Sequence, residues 1–329
     1  MSRTPTPFAT PVAAAHTAAP RKDTMRVHSR PLALVATAAS AALLLGACSS
    51  GTTDAAEVTP GGDLKDVTIA VHNGWDEGIA ASYLWQAILE DEGYSTEIEM
   101  ADPGIVYTGI AGGDFDVNFD MWLPITHADY LEKYGDDMEQ LGSWYDDARL
   151  TIAVNEDSPL TTIADLKTQG DVVGNRLVGI ESGAGLTRIT KDEVIPTYGL
   201  EDLEFVESST SAMLAELSGA IDESRDVAVT LWSPHWAYDA FPIRNLEDPE
   251  GALGGAEEIA MVGRTGFGED YPQLTALLAK FTLDDTQLFA LENLMFNENG
   301  GKDNEGSAKK WLADNPEFVT DLKAAADQA

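Results

Sequence analysis

Three strand-like runs of this 329-residue chain end on a tryptophan: "VTIAVHNGW", "DVNFDMWLP" and "DVAVTLWSPHW", which deliver Trp75, Trp122 and Trp232. In open α/β sheets a ligand sits in the crevice outside the carboxyl ends of the strands, so these three rings are placed where a ligand would be. Indole faces are negative, and several facing one cavity hold a quaternary ammonium, a cation with no hydrogen to donate. A desolvated cation–π contact is worth ~2 kcal/mol, so three walls supply roughly 6 kcal/mol before the costs of association. Burial of N-methyl groups adds to this and brings micromolar binding, about −8 kcal/mol, within reach. Two of the three tryptophans stand in Trp-x-Pro, where proline removes a backbone donor and stiffens the exit from the strand. Any one of them could simply be core; three in the same topological position argue for a shared task. The other four, Trp85, Trp144, Trp236 and Trp311, fall in helical or connecting context and read as core or surface.

The polar residues near the rings leave several readings open. Asp76 and Glu77, in "GWDEG", either supply negative charge to the same cation or begin a helix whose dipole favours acids. All three histidines beyond Cys48 fall inside the tryptophan motifs: His72, His127 and His235. Three histidines with a carboxylate suit zinc or manganese. No two of them, however, have ligand spacing on one helix, and three indoles would crowd a small ion, so no metal ligand is assigned and a zinc- or manganese-binding protein stays the alternative reading. His235 reads as a donor to an anionic group on the ligand, His72 and His127 as structural. The stretch "SGAGLT" makes Gly183, Ala184 and Gly185 either a carboxylate cradle at a helix start or a strand-to-helix turn that needs glycine.

The elements that would position these residues alternate strand and helix from Asp66 onward, the pattern of α/β sheets flanked by helices. After "LTIAV" the alternation restarts, which predicts two lobes of similar plan, residues 64–148 plus 252–329 and residues 149–251, each a mixed sheet with the ligand in the cleft between them. From Tyr271 the pattern is helical, and this tail must cover one lobe. The N-terminus reads differently: Arg26 and Arg30 precede an apolar run from Leu32 to Leu45 that is too short to span a bilayer comfortably. Residues 1–47 are expected to be an extension and a lipoprotein signal peptide starting at Met25. "LLLGAC" resembles a bacterial lipobox, with Cys48 as the lipidated first residue of the mature chain and residues 48–63 as a flexible linker. Cys48 is the only cysteine, so it forms no intrachain disulfide. The expected location is outside the cell membrane's inner face: exported, and anchored by lipid to the outer face of the cytoplasmic membrane.

Composition narrows the function further. The formal charge is −36, and five of the 20 Lys and Arg lie before Cys48. A surface this acidic lacks the cations that release counterions from phosphates, which argues against nucleic acid as a partner. No G-x-S-x-G elbow, P-loop or cysteine nucleophile is present, so neither an enzyme nor a cofactor is expected.

Taken in order, "GWDEGIAASYLWQAILEDEGY", "GGDFDVNFDMWLPITHADYLEKYGD", "VGIESGAG", "VESSTSAMLAEL" and "TLWSPHW" closely resemble the substrate-binding lipoproteins of glycine betaine/choline-type ABC importers. The resemblance implies a periplasmic-binding-protein fold that closes over its ligand, with a trimethylammonium cage on Trp75, Trp122 and Trp232 and the family's "PH" histidine on His235. It also implies a membrane permease with a cytoplasmic ATPase as partners, and a monomeric binding protein. Choline-selective relatives carry tyrosine where this chain has Leu150 and asparagine where it has Ala184. Those departures predict glycine betaine or a related betaine over choline. A sensor that presents its ligand to a receptor remains an open alternative to the importer role.

Overall fold

The computed structural model describes residues 62–328, so the expectations for residues 1–47, Cys48 and nearly all of the linker lie outside the described residues. The described chain is mixed α/β, with a nine-stranded sheet. β1 (Asp66–His72) and β3 (Val117–Leu123) pair in parallel, with β2 (Ser95–Ala101) parallel on the outer side of β1. β3 is buried along all seven residues, as a strand covered on both faces must be. β2 is the edge, and Glu97 and Glu99 give it the charges that discourage further pairing.

The longest strand, β4 (Met138–Asn155), belongs to both ends of the sheet. Its first part, Met138 to Ala148, runs antiparallel to β9 (Glu257–Arg264), which is itself antiparallel to β3. From Arg149 onward it runs antiparallel to β7 (Ala228–Ser233), and at its end it also meets β8 (Ile243–Asn245). β5 (Arg176–Val178) then pairs in parallel with β7 and with β6 (Glu204–Val206). The strand order is therefore β2-β1-β3-β9-β4-β7-β5-β6, and the changeover from one set of partners to the other falls between Ala148 and Arg149. The sequence reading anticipated only the second part of β4, as "LTIAV", and neither β8 nor β9. The first part of β4 is largely polar and carries register shifts, which erase a period-two signal.

The C-terminal helices pack where the first strands are. Helices Asp285–Glu292 and Asn304–Asp314 lie against helix Asp76–Asp91, and helix Phe318–Ala326 against helix Pro272–Leu278. Three of the four tryptophans assigned to core or surface are fully buried in this region. Trp85 stacks on Phe119 and meets Phe281 edge-on, Trp144 lies 5.9 Å from Phe281 and donates its Nε1–H to the Phe119 carbonyl at 2.7 Å, and Trp311 meets Phe318 edge-on. Each such aromatic buries a large apolar area, and the chain of them ties the helical tail to β3.

Helix Asp76–Asp91 sits on β3 at a distance only glycine permits. A Cβ at Gly78 would lie 2.3 Å from Asp120 Oδ2 on that strand. Gly78→Ala is therefore expected to lower the stability of the ligand-free protein by about 1–3 kcal/mol, the range for overpacking a filled core. Urea unfolding checks this; an unchanged midpoint would mean that the helix can retreat at no cost.

Candidate functional site

Behind the carboxyl ends of β1, β3 and β7 lies a small, narrow cavity of about 20 Å³. Its walls include Trp75, Trp122 and Trp232, together with Leu150, Ile180, Leu186, Ala184 and Gly185. The three strand ends do bring their indoles to one place. Among the described residues no group of three or more His, Cys, Asp or Glu is placed to hold a metal ion, and no helix is long and apolar enough to cross a membrane.

Two of the indoles are held by one carboxylate. Glu77, buried in the first turn of helix Asp76–Asp91, accepts the Trp122 Nε1–H on Oε1 at 3.2 Å and the Trp232 Nε1–H on Oε2 at 2.7 Å. The Trp122 N–H is shared with Asp120 Oδ1 at 2.9 Å. The ring of Trp75 is held differently: it stacks on His127 with centroids 5.3 Å apart and planes 5° apart, and contacts His72 at 4.3 Å. Its Nε1–H is buried without a partner.

His127 lines the cavity; His235 does not. The backbone N–H of Trp122, which can only donate, points at His127 Nδ1 from 2.8 Å, so Nδ1 bears no proton and the neutral ring carries its hydrogen on Nε2. Burial holds this imidazole well below its ordinary titration range, helped by His72 and Arg188. Nε2–H is consequently a buried donor with nothing to donate to. His235 lies behind Trp232, edge-on at 4.7 Å, with Nδ1 accepting the Ala237 N–H. Its Nε2 is 3.7 Å from Asp76 Oδ2, too far for a hydrogen bond, and burial takes its pKa down to about 3, so the pair is not an ion pair. His72, with its pKa lowered to about 3 by burial, is a packing residue behind Trp75.

The remaining predicted residues divide in the same way. Asp76 is buried outside the cavity wall and accepts the Trp236 Nε1–H at 2.5 Å. Ala184 and Gly185 reach the cavity at the start of the helix from Gly185, whose first amides have no acceptor within the helix. Gly183 lies instead at the mouth, where its carbonyl accepts the Tyr130 hydroxyl at 3.0 Å. There too Arg188 donates to the carbonyls of Ile125 and Thr126 at 3.2 and 3.3 Å and pairs with Asp129 at 2.9 Å.

Several contributors escaped the sequence reading. Glu257 on β9 orders the loop after β3, accepting the N–H groups of Ile125 and Thr126 at 2.7 and 2.8 Å and the Thr126 hydroxyl. Asp120 and Glu292 join Asp76 and Glu77 behind the three indoles, and none of the four pairs with Lys or Arg among the described residues. Only the five-residue step from Trp122 to His127 was available as a signal, and it looks no different from the step of three between Trp232 and His235.

Burial without a cation raises these carboxyl groups. Asp76 and Asp120 each move from 3.8 to about 7, while burial, reinforced by neighbouring acids, pushes Glu77 and Glu292 well up. An acid whose pKa is higher folded than unfolded stabilises the fold while protonated, fully below about pH 4, and loses that contribution as pH rises through about 7. The melting temperature of the ligand-free protein is expected to fall across that window. Asp120→Asn, which keeps an oxygen for Trp122, should flatten part of the fall; an unaltered slope in calorimetry would remove Asp120 from the account.

Comparison with known proteins places this geometry. The family model described as the substrate binding domain of ABC-type glycine betaine transport systems matches residues 65–314. The glycine betaine/carnitine transport binding protein GbuC of Listeria monocytogenes is 35% identical over 157 residues, 46% of this chain and 50% of that protein, so the match spans half the relative's length. The structure of lactococcal OpuAC, closed and complexed with glycine betaine, superposes with a TM-score of 0.72 at 28% identity, covering 78% of this chain and 99% of the other. The glycine/betaine/L-proline-binding protein ProX of Borrelia burgdorferi gives 0.73 at 29% identity, covering 80% and 100%. The chain belongs to the family of substrate-binding domains of ABC-type glycine betaine transport systems, a binding component of a transporter and not an enzyme.

Proposed function

We propose that this protein captures a quaternary-ammonium compatible solute, glycine betaine first, outside the cell and delivers it to an ABC permease driven by a cytoplasmic ATPase. The observation that carries the reading is the cavity walled by Trp75, Trp122 and Trp232 with the Glu77 carboxylate behind two of the rings. The trimethylammonium group sits among the indole faces, and Glu77 adds negative charge to the same end. The carboxylate of a betaine takes the Nε2–H of His127 and the first-turn amides of Gly185 and Leu186, a role for which His235 lies too far back. Glycine betaine in the similar lactococcal protein, and the apolar Leu150 in this cavity wall, support a betaine ahead of choline; carnitine and proline betaine fit the same chemistry.

Binding closes two lobes, residues 64–148 plus 252–329 and residues 149–251, about hinges at the β4 changeover and near "LEDPEG". The protein works as a monomer held to the outer face of the cytoplasmic membrane through lipid on Cys48.

Titrating residues 62–329 with glycine betaine should change tryptophan fluorescence saturably, and Trp122→Ala or Trp232→Ala should abolish the change. His127→Ala should weaken glycine betaine by about 1.5–3 kcal/mol, the worth of a hydrogen bond to a charged group, and choline far less. Choline displacing glycine betaine preferentially from the unaltered protein would overturn the order of ligands.

Closure has its own test at Gly185, where a Cβ would stand 2.0 Å from the Thr126 carbonyl across the cleft. Gly185→Ala should leave the fold intact but hold the lobes apart, weakening glycine betaine at least roughly tenfold, about 1.4 kcal/mol. Small-angle scattering of that variant with saturating ligand should match its ligand-free curve; compaction equal to that of the parent would refute the closed geometry.

A further inference from the structure

One contact between the two sides of the cleft involves no cavity residue on either partner. Asp76 and Glu77 are consecutive, both buried, and each accepts an indole N–H from the end of β7 or the turn that follows it: Asp76 Oδ2 from Trp236 at 2.5 Å, Glu77 Oε2 from Trp232 at 2.7 Å. The partners are 155 and 160 residues apart in the chain. Trp232 belongs to the cage, whereas Trp236 lies outside the cavity wall, its ring packed between His235 at 5.6 Å and Phe241 at 5.8 Å. Trp236, half-buried, thus spends its single side-chain donor on an acid of the opposite lobe, without access to any ligand in the cage.

We infer that Trp236 is a positioning residue, the second prong of an acid–indole latch in which Asp76 and Glu77 grip Trp236 and Trp232 together and so determine how long the closed, liganded state lasts. The inference rests on the cage and the two closing lobes proposed above. Its physical basis is local. Trp232, Ser233, Pro234, His235 and Trp236 form one short exit from β7, and His235 bridges the two rings, edge-on to Trp232 at 4.7 Å and tilted against Trp236. Anchoring one end of this segment to Asp76 limits the freedom of the other end, so Trp232 cannot swing away from Glu77 until the Trp236 bond has also opened. Two bonds that must break together slow release; neither needs to form before a ligand enters, so capture is little affected. On this reading the bond forms as the lobes close, so opening them parts Trp236 from Asp76 and the bond adds little to the stability of the open protein.

Trp236→Phe removes only the N–H and keeps a ring against His235 and Phe241. Dissociation of radiolabelled glycine betaine, chased with excess unlabelled ligand, should quicken roughly three- to tenfold, the net worth of one hydrogen bond. The association rate and the ligand-free melting temperature should stay as in the parent. Asp76→Ala should speed release to the same extent, Asp76→Asn, which retains an acceptor oxygen, much less, and Trp236→Phe combined with Asp76→Ala no more than either alone. Should Trp236→Phe fold poorly, the contrast between Asp76→Asn and Asp76→Ala carries the test. Trp122→Ala, measured alongside, reports on the cage itself. Binding lost in Trp122→Ala while Trp236→Phe and Asp76→Ala release ligand at the parental rate would overturn the latch and leave the cage standing. A fall in ligand-free melting temperature with the release rate unmoved would equally overturn it, by making the bond ordinary packing.

Discussion

The geometry of the site hangs on one carboxylate accepting two indole N–H groups from strands that are far apart in the chain. Glu77 receives Trp122 from the end of β3 and Trp232 from the end of β7. An indole has a single donor, so satisfying it in a buried place fixes the plane of the ring as well as its position. A wall of π-faces works only if the faces converge, and the convergence here is enforced by hydrogen bonding at the rings' edges.

That arrangement has an electrostatic cost, and the surroundings show how it is met. Asp76, Glu77, Asp120 and Glu292 lie together with no ion pair to lysine or arginine among the described residues, and burial raises them all. Glu292 has no side-chain hydrogen bond, only the backbone N–H of Trp236 facing it, and Asp120 Oδ2 has no partner. Such a group persists by holding a proton or by having a cation brought to it. On the proposed function, these acids behind apolar walls suit the quaternary-ammonium end of a betaine, which cannot be hydrogen-bonded. The imidazoles complement this: buried and neutral, His72, His127 and His235 add no positive charge that would compete for the carboxylates.

The fold supplies the two sides of the site through β4. Because that strand pairs with β9 before Ala148 and with β7 after Arg149, it connects the strand set bearing Trp75 and Trp122 to the set bearing Trp232. At the mouth the contacts between the two sides are polar: Tyr130 to Gly183, Arg188 to Asp129 and to two carbonyls. Polar contacts of this kind exchange for water at little cost, unlike the aromatic packing of Trp85, Trp144 and Phe281 inside the first set.

By itself the sequence determined the α/β alternation, the three tryptophans at strand ends and the acids beside the first of them, because strand period, helix stops and Trp-x-Pro exits are local properties. β9 and the first part of β4 were not legible. "EEIAMVGR" is a short apolar run that periodicity cannot assign, and "MEQLGSWYDDA" is polar and bulged; both become strands by pairing with each other. The roles of the histidines were equally closed to inspection. His127 and His235 each follow a cavity-lining tryptophan within a few residues, and only the folded backbone decides which ring nitrogen is occupied: Trp122 N–H takes Nδ1 of a ring that lines the cavity, Ala237 N–H takes Nδ1 of a ring that does not. Asp76 and Glu77 show the same division. Their charge and their place at a helix start could be read from the chain, but the indole that each one holds lies at least 45 residues away and was chosen by tertiary packing, because hydrogen-bond partners are set by distance in space.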